Sequence, residues 1–193
     1  MLTGETVVDA SVHVLRYDGA ALWTVVLLAA AAVFVAAFLP RRRLLASLAG
    51  VAVAIAVGLT ITPVGGWGAL GFETGALRSI VTNLEPHRSA LTGWYRNDDG
   101  PANVALFLPA GLFLALLLRQ PLLTAAGLTA TSFTIECWQA TLTTRVGSFD
   151  DVVANGLGAA LGATAAAVVL VVQAVDRRRR TASTRAYPLG RVG

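Results

Sequence analysis

Five stretches of this chain are long, apolar and nearly free of charge: residues 20–39, 44–62, 103–118, 122–141 and 151–175. A helix of about twenty apolar residues crosses the hydrocarbon of a bilayer. Backbone groups in hydrocarbon must bond within their own segment, which helices achieve and open strands do not. The fold class that follows is all-α: an integral membrane helical bundle of five transmembrane helices. Charged residues make up 13% of the sequence, about half the share usual in a soluble domain.

The 193 residues then divide into five parts: a polar N-terminal segment (1–19), two N-terminal spans (20–62), a long loop (63–101), a three-helix core (102–175) and a basic tail (176–193). The first segment carries Glu5, Asp9 and Asp18 against Arg16. A secretory signal would begin with basic residues. Here the basic cluster follows the apolar run, so residues 20–39 read as a retained span stopped by Pro40 and Arg41, Arg42 and Arg43. Pro63 and Gly65, Gly66 and Gly68 end the second span. Trp67, Trp94 and Tyr95 in the loop suit the headgroup layer, and parts of the loop read as short helices on the membrane.

The isoelectric point is 10.2, a value that suggests nucleic acid only when the positions of the charges are ignored. All 15 basic residues are arginine. Most flank the ends of apolar runs, as topology signals and contacts to anionic membrane lipid do. Nucleic-acid binding is therefore not expected. Placing Arg41–Arg43, Arg119 and the tail arginines in the cytoplasm satisfies every cluster at once and gives an N-out, C-in topology. The lone cysteine, Cys137, has no partner for an internal disulfide and reads as a small buried apolar residue. His13 and His87 are isolated, so no metal site and no cofactor are expected.

The chemistry concentrates in one polar string: Glu136, Gln139, Arg145, Asp150, Asp151 and Asn155. Ionisable groups near hydrocarbon are costly, and their presence points to a site. Ser132, Glu136 and Gln139 share one helix face, which must turn toward the bundle or a wet cavity. Asp151, Asn155, Gly158 and Gly162 share a face of the last span, and Gly158-x-x-x-Gly162 lets another helix approach closely. Asn103 opens the third span, as a helix cap or as a member of the cluster. Pro109, with Gly111 beside it, makes either a plain kink or a polar notch at the carbonyl of Ala105.

Together with Asn103-x-x-Leu106-Phe107-x-Pro109-x-Gly111 and Asn83-Leu84-x-Pro86, this ordered set resembles the VanZ-like family over about residues 80–165. His87 stands where that family often has an aromatic, and Glu85 where it has an apolar residue. The resemblance implies a multi-pass protein of a bacterial cell membrane. It also brings a context, since the family's founding member is associated with low-level resistance to the glycopeptide teicoplanin.

Three functions fit this string. In the first, an outward-facing polar cluster binds a lipid-linked or cell-wall-related ligand, such as a cell-wall precursor or a lipophilic glycopeptide. Arg145 then grips phosphate or carboxylate, and the acids accept from amides and sugars. In the second, a membrane enzyme uses Glu136 as acid or base on a lipid-linked substrate; the missing Ser/His or Cys/His pair weighs against it. The third is a small transporter, although no internal repeat is evident. The same cluster could instead tie the last three spans together without any chemistry.

Overall fold

The computed structural model describes residues 19–39, 42–84, 90–96 and 99–186. Among these the chain is helical, with no strand beyond an isolated bridge between Phe72 and Leu142. Five long helices alternate in direction: α1 Gly19–Ala37, α2 Arg43–Ile61, α5 Gly100–Leu118, α6 Pro121–Gln139 and α7 Phe149–Ala186. Between α2 and α5 lie two short helices, α3 Ala76–Asn83 and α4 Ala90–Gly93, and 3-10 turns at Trp67–Ala69 and Trp94–Arg96.

Four of the long helices (α1, α2, α5 and α7) are long and apolar enough to cross a membrane, so this is a multi-pass membrane protein. α6 has the same 19-residue length as α1, α2 and α5 but is less apolar. Its threonines account for part of the difference, and they are individually satisfied. Thr124, Thr129, Thr131 and Thr134 each donate to the carbonyl four residues back, at 2.9 Å. A hydroxyl bonded in this way costs little in an apolar setting.

The helix ends sit where the sequence puts its stop signals, with two shifts. α5 starts at Gly100, with Pro101 in its first turn, where the missing N–H is no loss. α7 continues past residue 175 through Ala186. Arginine is a good helix former, and Asp176 pairs with Arg180 one turn on at 3.0 Å. The basic tail is thus a helical extension as far as residue 186. Pro40, Arg41, Glu85, Pro86, His87 and residues 1–18 lie outside the described residues.

α5 is the centre of the bundle, and small residues bring α7 against it. A Cβ on Gly158 would strike the Val104 carbonyl, one on Gly162 the Leu108 carbonyl, and one on Gly111 the Ala159 carbonyl. Each of these contacts is backbone to backbone, so no side-chain adjustment relieves it. Phe107, Ala110 and Ala159 are fully buried there, with Ala52 and Ala56 of α2 and Leu128 of α6 packed around them. α1 lies outermost, docked on α2 where Gly50 meets Ala32 and Gly58 meets Val25. Pro109 leaves α5 continuous and faces an apolar groove rather than a polar notch.

The alternation makes two chemically distinct ends. At one, Arg42 donates to the Leu117 carbonyl at 2.7 Å, tying the start of α2 to the end of α5. At the other meet the ends of α2 and α6 and the starts of α5 and α7.

Candidate functional site

Glu136 lies one turn from the end of α6 and is 1% exposed. The backbone N–H of Ser148, in the loop that leads into α7, donates to its Oε2 at 3.0 Å. That approach depends on Gly147, where a Cβ would collide with the carbonyl of Glu136 itself. A turn deeper, Asn155 of α7 donates to Ser132 Oγ at 2.9 Å, both side chains buried. The Asn155 carbonyl oxygen, Oδ1, is also buried and meets no donor among the described residues.

Carboxylates gather around this centre. Asp150 and Asp151 occupy the first turn of α7, and Asp99 stands at the start of α5. Asp151 accepts from Asn103 Nδ2 at 3.0 Å. It lies close enough to Asp99, Asp150 and Arg145 to feel the charge of each, and Glu136 feels Asp151 and Arg145. Like charges so near one another repel. Two helix N-termini, each carrying partial positive charge, offset the repulsion together with Arg145 and the Asn103 amide. Asn103 thus sits inside α5 and joins the cluster by its side chain, while Asp99 holds the cap position.

Gln139 and Arg145 turn elsewhere. The last carbonyls of a helix have no partner within it. At the end of α2 they are met from outside: Gln139 Nε2 donates to Thr60 O at 2.9 Å and Trp138 Nε1 to Ile61 O at 3.1 Å. Arg145 Nη2 reaches Leu59 O at 3.3 Å and Thr62 O at 2.9 Å. Four consecutive carbonyls are thereby closed by α6 and the loop after it. The loop 70–75 seals the same corner: Glu73 N–H donates to Thr141 O at 2.9 Å and Thr143 N–H to Gly71 O at 3.1 Å. Phe72 packs edge-on against Trp138, with ring centroids 5.9 Å apart.

The structure therefore brings Asn103, Glu136, Asp150, Asp151 and Asn155 to one end of the bundle, with Arg145 between them and α2. Gln139 belongs to the α2 junction. Cys137, beside Glu136 but off the inward face, is half-buried rather than buried. Among the described residues no group of three or more His, Cys, Asp or Glu is placed to hold a metal ion. Sequence reasoning did not single out Asp99, Gly147, Ser148 or the last turn of α2. The first two had a signal, an acid before a helix start and a glycine in a tight loop. Ser148 and the α2 turn act through backbone atoms, which no residue type announces.

The protein-family model described as VanZ/LLP1 matches residues 23–171. The chain belongs to the VanZ/LLP1 family. No curated protein and no solved structure matches it. The VanZ/LLP1 match reaches well before residue 80, so most of α1 and all of α2 fall inside the family region. This accords with the part α2 plays: its last turn receives three side chains from the α6 end.

Proposed function

We propose that the acidic end of this VanZ/LLP1 protein faces outward from a bacterial cell membrane. There it binds a donor-bearing envelope ligand, lipid-linked or derived from the cell wall, and lowers susceptibility to teicoplanin-type glycopeptides. In this reading α6 crosses the membrane as the fifth span, in the N-out, C-in topology that the arginines favour.

One observation carries the reading. Glu136, Asp99, Asp150, Asp151 and the Asn155 Oδ1 gather acceptor atoms at one end of an otherwise apolar bundle. Packing alone gives no reason to collect them: the carboxylates repel one another, and Asn155 Oδ1 is buried without a donor among the described residues, which is costly. Amide, hydroxyl or ammonium groups on a ligand would supply the donors. The role for Arg145 changes accordingly. With one nitrogen committed to two carbonyls of α2, it acts as a brace and a local counter-charge rather than as the main grip on a ligand anion.

A second reading rests on that same brace: the cluster is a tie between α2, α6 and α7 and holds nothing else. Mass spectrometry of lipids and cell-wall precursors that co-purify with the detergent-solubilised protein separates the two. A ligand enriched with the wild type and lost from Glu136→Gln supports the site. Identical spectra for the two proteins support the tie.

A further inference from the structure

The opposite end of the bundle carries a different arrangement. Arg42, Arg43, Arg119 and Arg177 line one cavity of about 590 Å³, bounded below by leucines that include Leu48. These arginines come from the start of α2, the α5–α6 turn and α7, so the fold assembles what the sequence scatters between positions 42 and 177. No carboxylate lies among the lining residues. The nearest described acid on α7, Asp176, is paired with Arg180.

Two further observations mark this as more than a basic surface. First, Arg119 caps α5 at φ 59°, and it is the one non-glycine residue with positive φ among those described. Helices commonly end with glycine in this conformation, because a side chain there is strained. Arginine stands where glycine would fit better, and it lines the cavity. Second, Leu48 also lines a groove of about 320 Å³ that runs between α2 and α5 past Val51 and Ile55 to Phe113 and Pro109. The arginine-lined cavity and the apolar groove thus share Leu48 as a common wall.

We propose that this end binds one anionic phospholipid. Its phosphate sits among Arg43, Arg119 and Arg177, and an acyl chain lies along the Leu48–Pro109 groove. Guanidinium groups suit phosphate because their paired N–H donors match two of its oxygens. Acyl carbons in the groove exchange contacts with neighbouring lipid tails for fixed ones with equally apolar side chains, at little net cost. The site is remote from the acidic end and independent of what binds there.

Native mass spectrometry of the full-length protein tests this, with phosphatidylglycerol, phosphatidylcholine and soluble glycerol phosphate as probes. The variant Arg43→Gln with Arg119→Gly removes two cavity arginines while giving the helix cap its preferred residue. The control Arg178→Gln with Arg179→Gln removes the same charge from the exposed helix beyond. Phosphatidylglycerol should be retained in preference to phosphatidylcholine. The cavity variant should weaken it by about ten-fold or more, and the control by less than about two-fold. Equal weakening by both variants would mean a diffuse basic field and overturn the proposal. So would glycerol phosphate that displaces the lipid at equal concentration, since the groove would then contribute nothing. An unchanged unfolding temperature for the cavity variant shows that loss of lipid is not loss of fold.

Discussion

Glu136 is buried on α6 and is met by a backbone N–H that only a glycine-containing loop can deliver. At the residue scale the loop is as specific as the acid. Gly147→Ala places a methyl group against the Glu136 carbonyl and the Ala140 side chain. The loop must then retreat and take the Ser148 N–H away from Oε2. Overpacking of this kind costs about 1–3 kcal/mol, so thermal unfolding in detergent should show a lower midpoint for this variant. An unaltered midpoint would mean that the contact is slack. Glu136→Gln differs in kind: its Oε1 still accepts from Ser148, so shape and hydrogen bond survive while the charge goes.

At the scale of elements, the junction of α2 with α6 explains why Arg145 is not interchangeable. Hydrogen bonds from a charged donor are worth about 1.5–3 kcal/mol each. Arg145→Ala leaves the Leu59 and Thr62 carbonyls without it, and the variant is expected to lose stability as well as activity. Unfolding in detergent checks this; a variant as stable as wild type would show that the brace is dispensable. The α5–α7 contact is a second element-scale constraint. Gly158→Val should disrupt the bundle more than Gly156→Val, because Gly158 faces backbone of α5 whereas Gly156 faces the side chain of Thr129. Protease sensitivity of the two variants compares them directly.

The polar face of α6 and the small-residue face of α7 were legible in the sequence because period and residue type together mark a face. The partners of Gln139 and Arg145 were not, since they are main-chain carbonyls of a helix more than seventy residues away. A carbonyl looks the same under every residue, so only the tertiary path shows which ones lie at an exposed helix end. Asp99 was overlooked because acids before helices are common as caps; its nearness to Asp151 appears only once α5 and α7 are side by side.

For the whole molecule, the two ends are the organising fact: a carboxylate cluster with Arg145 at one, a cavity lined by four arginines at the other, and five alternating helices between. Apolar runs made the five long helices readable; four of them are long and apolar enough to cross a membrane. The length of α7 was not, because charge ends a membrane span without ending a helix. In a Cys137→Ser background, single substitutions Leu91→Cys, Val146→Cys and Arg178→Cys allow labelling of intact cells with an impermeant reagent. Leu91 and Val146 are well exposed in the folded chain. Labelling at the first two and protection at the third is expected; the reverse pattern would invert the topology and place the acidic end in the cytoplasm.

The proposal that the acidic end is a ligand site is tested most directly by glycopeptide susceptibility. Wild type and Glu136→Gln are expressed at equal membrane abundance in a sensitive bacterial host, and the inhibitory concentration of a teicoplanin-type glycopeptide is measured. Wild type should raise that concentration and Glu136→Gln should leave it at the level of the empty host. Full protection by Glu136→Gln would contradict the account and leave the cluster as a structural tie.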